Sequence, residues 1–255
     1  MRKSISNHFI LAACMAAMMV SLSACGTASK SAGTAGTSSD VKTYLTLAQM
    51  PDAGVYLPPP PAENSVDFLA DSARYEWGKS LRGTARGEQA VQDAQWEIDY
   101  LLDIYAGPLG VKLTQAENPF LYNFLKKSLE TINLGVTKAK AKYMRTRPYV
   151  HFGEPTPVPQ DEEVLRTNGS YPSGHTVRGW GIALLLSELC PERQDAILQR
   201  GFAYGESRVI VGFHYQSDVN AARFAAAASL ARMHADPLFM KDLNRAKKEF
   251  HRLVK

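Results

Sequence analysis

Six residues separate Lys140 from Arg147-Pro148. Gly169-Ser170-Tyr171-Pro172-Ser173-Gly174-His175-Thr176 then puts two glycines, two serines, one proline and one histidine into eight positions. Ser207-Arg208 is followed after five residues by His214, and after three more by Asp218. These are the residue types that bind an anion and move a phosphoryl group. Arginine and lysine donate charged hydrogen bonds, and arginine can hold two oxygens at once. A Gly-rich turn running into a helix start aims free N–H groups and the positive end of the helix dipole at one point, which suits phosphate. Taken singly, each stretch also has a plain structural explanation. Lys140 is one of three lysines on a helix and fits a solvated face. Ser173 fits an ordinary N-cap, and Arg208 could pair with a surface acid. His214 and Asp218, one turn apart, could be a local helix hydrogen bond.

Apolar periodicity places these residues on or between helices. Leu57-Pro58-Pro59-Pro60-Pro61 reads as an extended polyproline arm. Asn64 or Ser65 caps a helix carrying Phe68, Leu69, Ala73, Trp77 and Leu81, which Gly78, Gly83 and Gly87 weaken. A second helix is expected over 87–105 and is stopped by Gly107-Pro108. Asn118-Pro119 opens a third, with Leu121, Phe124, Leu125, Leu129 and Ile132 as its stripe. Another covers 136–144 and ends before Arg147-Pro148. Residues 149–169 read as loop. Helices follow over 177–189, 191–211, 214–233 and 237–253. Alternating strand patterns are scarce and no internal repeat is visible. The fold class expected is all-α: a single compact multi-helix domain with a central helical bundle.

Taken together and in this order, the three stretches resemble the three-part signature of the type-2 phosphatidic acid phosphatase and vanadium haloperoxidase superfamily. Residues 169–176 resemble the hallmark of bacterial class A non-specific acid phosphatases, as do Leu57 to Pro61, Phe68-Leu69, residues 81–93 and Gly205 to Ile210. The resemblance covers residues from about 50 to 235. It implies a phosphate monoesterase of broad substrate range acting through a phosphohistidine, with room for phosphotransferase side activity. Lys140, Arg147, Ser173, Gly174 and Arg208 would bind the phosphate. His214 would be the nucleophile, Asp218 would orient it, and His175 would be the general acid for the leaving group. No metal and no cofactor are expected. The resemblance also allows for a homo-oligomer. Tyr171 and Tyr215 flank the two histidines as candidate pocket walls, while His151, His234 and His251 read as structural or solvated.

The ends of the chain bear on location. A basic start, an apolar segment from Phe9 to Leu22 and small residues at a cut site describe a signal peptide over 1–24. Leu22-Ser23-Ala24-Cys25 resembles the bacterial lipobox, which would make Cys25 the lipidation site. Residues 25–40, rich in Ser, Thr, Gly and Ala, then read as a lipidated cysteine and flexible tether ahead of a phosphatase domain over 41–255. The protein is expected to be exported and anchored by lipid, as a periplasmic or cell-surface lipoprotein of the outer membrane. After the leader no apolar run approaches the ~18 residues of a span. Loss of Arg2 and Lys3 with the leader leaves 27 basic and 25 acidic residues, a balance that argues against nucleic-acid binding. Cys190 has no intramolecular disulfide partner once Cys14 leaves and Cys25 is lipidated.

Other classes fit less well. A metallophosphatase needs several carboxylate and histidine ligands at metal spacing, and a lysine and two arginines would repel a divalent cation. Arg-His-Gly and Asp-x-Asp motifs of other phosphatases are missing. Lipid phosphatases of the superfamily are usually multi-span membrane proteins, and haloperoxidases are not suggested by the class A stretches. A surface protein that only binds anions would need the lysine and arginines but neither a nucleophile nor an acid.

Overall fold

A computed structural model describes residues 42–255, which form helices and connecting turns with no strand among the described residues. In chain order the helices are α1 (Ala53–Tyr56), α2 (Val66–Ser80), α3 (Ala85–Gln92), α4 (Ile98–Leu109), α5 (Pro119–Asn133), α6 (Thr137–Tyr143), α7 (Pro148–His151), α8 (Glu162–Arg166), α9 (Gly174–Leu189), α10 (Gln194–Ile210), α11 (Gln216–Met233) and α12 (Pro237–Leu253). The expected signal peptide, Cys25 and the expected tether lie outside the described residues. No described helix is long and apolar enough to cross a membrane.

Local chemistry explains most boundaries. Ser65 Oγ accepts from the Phe68 N–H at 3.1 Å and starts α2, and Asp236 does the same for α12. Pro119 and Pro148 occupy first-turn positions, where a missing N–H costs nothing. The core is one large apolar cluster built from α4, α5, α9, α10, α11 and α12, with α9 at its centre. Residues such as Leu125, Leu129, Ile132, Ile182, Leu185 and Leu186 are fully buried there. A smaller cluster of Ala90, Tyr149, Val158, Ile210, Val211 and Phe213 sits apart from it. The most extensive helix packing is α9 on α10, where a Cβ at Gly179 would collide with the Tyr204 ring.

Four boundaries differ from those read in the sequence. The helix expected over 87–105 is two helices, because the buried Asp93 carboxylate is drawn to Ser207 and Arg200 and the chain turns there. Gly107-Pro108 does not stop α4, which runs to Leu109. Gly110, at φ 80°, closes it instead, its N–H reaching Ala106 O at 2.9 Å. Residues 149–169 are not pure loop: α7, a 3₁₀ turn at Pro159–Asp161 and α8 are each shorter than a periodicity window. Finally, α11 begins at Gln216, so His214 lies in the turn before it, and its pairing with Asp218 is not a bond within a helix.

Candidate active site

The three sequence stretches converge through backbone hydrogen bonds. Ser170 N–H donates to Arg145 O at 2.9 Å, tying residues 169–176 to the segment that carries Arg147. Ser173 N–H donates to Asp218 O at 3.1 Å, tying the start of α9 to the start of α11. The N–H groups of Phe213 and His214 both reach Arg208 O, at 3.1 and 3.2 Å, across a turn that needs Gly212 at φ 87°. The nucleophile candidate and the most buried arginine are thus one turn of chain.

The two arginines are buried at this junction and Lys140 is half-buried beside them. Arg208 has no exposed surface, and none of its three guanidinium nitrogens has a hydrogen-bond partner. A buried charge left with five unpaired N–H donors is costly unless an anion completes it. Arg147 is differently placed: Nε donates to Leu165 O and Asn168 O, both at 2.9 Å. Its Nη1 donates to Phe213 O at 3.0 Å and to His214 Nε2 at 3.1 Å. Only Nη2 remains without a protein partner. Lys140 Nζ donates to Gly169 O at 2.7 Å, and Gly174 lies against the lysine stem. Burial, then repulsion from Arg147 and Arg208, pushes the Lys140 ammonium down to about 7. Arg147 and Arg208 are lowered by burial to about 10 and stay charged. Three cations crowded out of water amount to a positive hole shaped for a compact anion.

Ser173 caps α9. Its Oγ accepts from Thr176 N at 3.3 Å and from Thr176 Oγ1 at 3.0 Å, which uses both lone pairs and leaves its own O–H to donate elsewhere. The sequence reading of a cap and of a ligand donor are therefore compatible in one side chain.

The two histidines sit in contrasting surroundings. Because Arg147 can only donate, His214 Nε2 must be the acceptor, and Nδ1 carries the proton. That Nδ1 is 3.4 Å from Asp218 Oδ2, close enough to pair but not aligned as a hydrogen bond. Burial first, then Arg147, Lys140 and Arg208, holds the His214 imidazole well below its usual pKa. His175 Nε2 meets Ala94 O at 2.8 Å, and a carbonyl can only accept, so Nε2 is protonated and Nδ1 is free to gain or lose a proton. Its ring stacks between Trp96 and Tyr204, at centroid distances of 5.7 and 6.1 Å. Burial and Arg208 lower its pKa too, against the pull of the Ala94 carbonyl.

Three residues at this junction carried no signal in the sequence. Arg145 bridges Asp218 and Asp71, at 2.6 and 2.8 Å. Asp93 receives Ser207 Oγ at 2.6 Å and Tyr100 Oη at 2.8 Å, and so fixes the turn that offers Ala94 O to His175. Tyr171 and Tyr215 are buried struts: Tyr171 Oη donates to Pro58 O at 2.6 Å, and the Tyr215 ring lies 3.9 Å under the Arg145 guanidinium. His151 pairs with Glu63 and His234 with Glu188, away from the cluster. Among the described residues no group of three His, Cys, Asp or Glu side chains could hold a metal ion.

Comparison with known proteins identifies the family. The PAP2 superfamily profile matches residues 125–239, which contain all three stretches. A non-specific acid phosphatase of Providencia stuartii is 45% identical over 213 residues, covering 83% of this chain and 86% of that protein. One of Salmonella typhimurium is 41% identical over 77% of this chain and 79% of its own length. An acid phosphatase of Zymomonas mobilis is 38% identical, over 79% and 76%. With nearly half of its residues shared across most of its length, the chain belongs to the PAP2 superfamily, among the non-specific acid phosphatases of the class A type.

Proposed function

We propose that the protein is an acid phosphatase that hydrolyses phosphate monoesters through a phosphohistidine, without a metal. The observation that carries this reading is the buried Arg208 guanidinium with every nitrogen unpaired, beside a neutral imidazole whose acceptor nitrogen is already oriented. Phosphoryl transfer spreads charge over three oxygens, so positioning and cationic stabilisation supply most of the catalysis. Arg208, Arg147 Nη2, Lys140, the Ser173 hydroxyl and the N–H at Gly174 receive those oxygens. His214 Nε2 attacks phosphorus and the ester P–O bond breaks. His175, carrying a proton at Nδ1, gives it to the departing oxygen. Water then attacks phosphorus, returns a proton to His175, and breaks the P–N bond to release phosphate.

The lowered pKa values support acidic operation. His214 stays neutral, and so nucleophilic, at a pH where a free histidine is protonated. His175 is likewise neutral in the free site, and the arriving phosphate anion raises its pKa by opposing Arg208. Substrate binding thereby loads the acid. Turnover of p-nitrophenyl phosphate near pH 5–6 in the presence of a chelator tests the whole reading. Activity should survive chelation and vanish in His214→Ala; chelator-sensitive hydrolysis would sink it. We also propose export and anchoring through Cys25, on the strength of the leader sequence. A mature N-terminus other than a lipid-modified Cys25, read by mass spectrometry, would remove that part.

A further inference from the structure

We infer that Arg145, held by Asp71, is a positioning residue for the phosphoryl-transfer step: it fixes the Asp218 carboxylate and limits how strongly that carboxylate pulls on His214. The inference rests on His214 as the proposed nucleophile.

Asp218 is fully buried, and its two oxygens have different partners. Oδ2 accepts the Tyr215 N–H at 2.9 Å and lies 3.4 Å from His214 Nδ1. Oδ1 accepts Arg145 Nη1 at 2.6 Å. That same Nη1 also donates to Ser217 Oγ at 2.8 Å, while Nη2 donates to Asp71 Oδ2 at 2.8 Å. Asp71 is itself fixed, its Oδ1 accepting the Ser217 N–H at 2.9 Å. The guanidinium plane rests on the Tyr215 ring. Arg145 is thus immobilised by two elements and an aromatic face: α2 through Asp71, the start of α11 through Ser217 and Asp218, and the Tyr215 ring below. Burial alone would lower the pKa of Arg145, but Asp218 and Asp71 more than offset it, and the net shift is upward. The arginine is a permanent cation between two carboxylates.

This arrangement has a chemical effect beyond holding shape. A lone buried aspartate beside an imidazole would bind its N–H closely and draw the ring toward the imidazolium form. Here the charge of Asp218 is divided between a guanidinium at 2.6 Å and an imidazole at 3.4 Å. The carboxylate can still support the positive charge that develops on His214 as the P–N bond forms. It does not protonate the ring beforehand. The Arg145 guanidinium donates to Asp71, Ser217 and Asp218 and rests on Tyr215, so that group acts on the phosphate through His214.

The test is steady-state kinetics of Arg145→Met, Arg145→Lys and Asp71→Asn in the full chain, with inorganic phosphate as competitive inhibitor. For Arg145→Met we expect kcat to fall by about a hundredfold while KM and phosphate inhibition move by less than about threefold. The acid limb of the pH–rate profile should shift to higher pH, because an undivided carboxylate favours the protonated ring. Arg145→Lys keeps the charge and should recover part of kcat. Asp71→Asn frees the arginine to move and should give an intermediate loss with the same pH signature. Loss of kcat and phosphate affinity in parallel, or a lowered Tm with unchanged kcat and pH profile, would overturn the inference. Should His214→Ala remain active, the nucleophile reading fails first. An inactive His214→Ala beside an Arg145→Met with full turnover removes only the role of Arg145.

Discussion

The site has two halves, one around His214 and one around His175, and they are built by opposite means. The His214 half is ionic: Asp218, Arg145, Asp71 and Arg147 surround it, and each is fixed by charged hydrogen bonds under 3.2 Å. The His175 half is held by a neutral carbonyl, two aromatic faces and a glycine-lined helix contact. The difference matches the work proposed for each. A nucleophile must keep one tautomer while it gains positive charge, which a nearby carboxylate supports. A general acid must change protonation state with the ligand. A fixed carboxylate would pin it as imidazolium, whereas a carbonyl and stacked rings leave its charge to be set by the phosphate itself.

Removing either histidine tests the division most severely. His214→Ala should cost about 10⁴-fold or more in kcat for every substrate, since no bond to phosphorus can form. His175→Ala should cost ~10²–10⁴-fold for alkyl phosphates but far less for p-nitrophenyl phosphate, whose leaving group needs little protonation. Equal losses on both substrates would show that His175 is not the acid. Arg208 serves both halves, so Arg208→Lys should lower kcat/KM by about 10²-fold and weaken phosphate inhibition, as one cationic point replaces a fork. Smaller still, Asp93→Asn should lower alkyl phosphate turnover about tenfold by loosening the Ala94 turn, and leave p-nitrophenyl phosphate nearly unchanged.

The mildest expected effect is on stability. His214 has its pKa lowered on folding, so the unfolded chain binds more protons below the unfolded value of roughly 6.5. Its contribution is present above that pH and is lost as pH falls, at up to about 1.4 kcal/mol per pH unit. Thermal melts between pH 7.5 and 5.5 should show this slope added to a like one from His175, whose pKa is also lowered by burial, so His214→Asn should reduce the slope without abolishing it. Inorganic phosphate should raise Tm by binding the folded site alone.

The residues proposed to bind phosphate could be picked out beforehand because they fall into three compact stretches with fixed spacing. The main helices were legible because stripes such as Leu121 to Ile132 repeat at three and four residues. Arg145 was not, because it lies two residues before Arg147 in a run rich in lysine and arginine, and nothing local separates a clamp from a solvated charge. Asp71 and Asp93 escaped for the same reason: each is an ordinary helix-surface acid until α11 or α10 closes over it. The break between α3 and α4 depends on Asp93 reaching Ser207, a partner 114 residues away, so no window of sequence could contain it. The N-terminal leader and tether fall outside the described residues.

The contact of Gly179 with Tyr204 has a consequence for how errors propagate through the molecule. The Tyr204 ring is the floor beneath His175, and its hydroxyl donates to Gln95 O at 2.7 Å, next to the Ala94 carbonyl that orients the histidine. One added methyl at Gly179 would push that ring, and the displacement would arrive at His175 by two routes, from below and from the side. The spacing between α9 and α10 is therefore a machining tolerance for the acid catalysis proposed for His175. A substitution deep in the bundle, touching neither ligand nor charge, can misaim a proton while leaving the phosphate cradle intact.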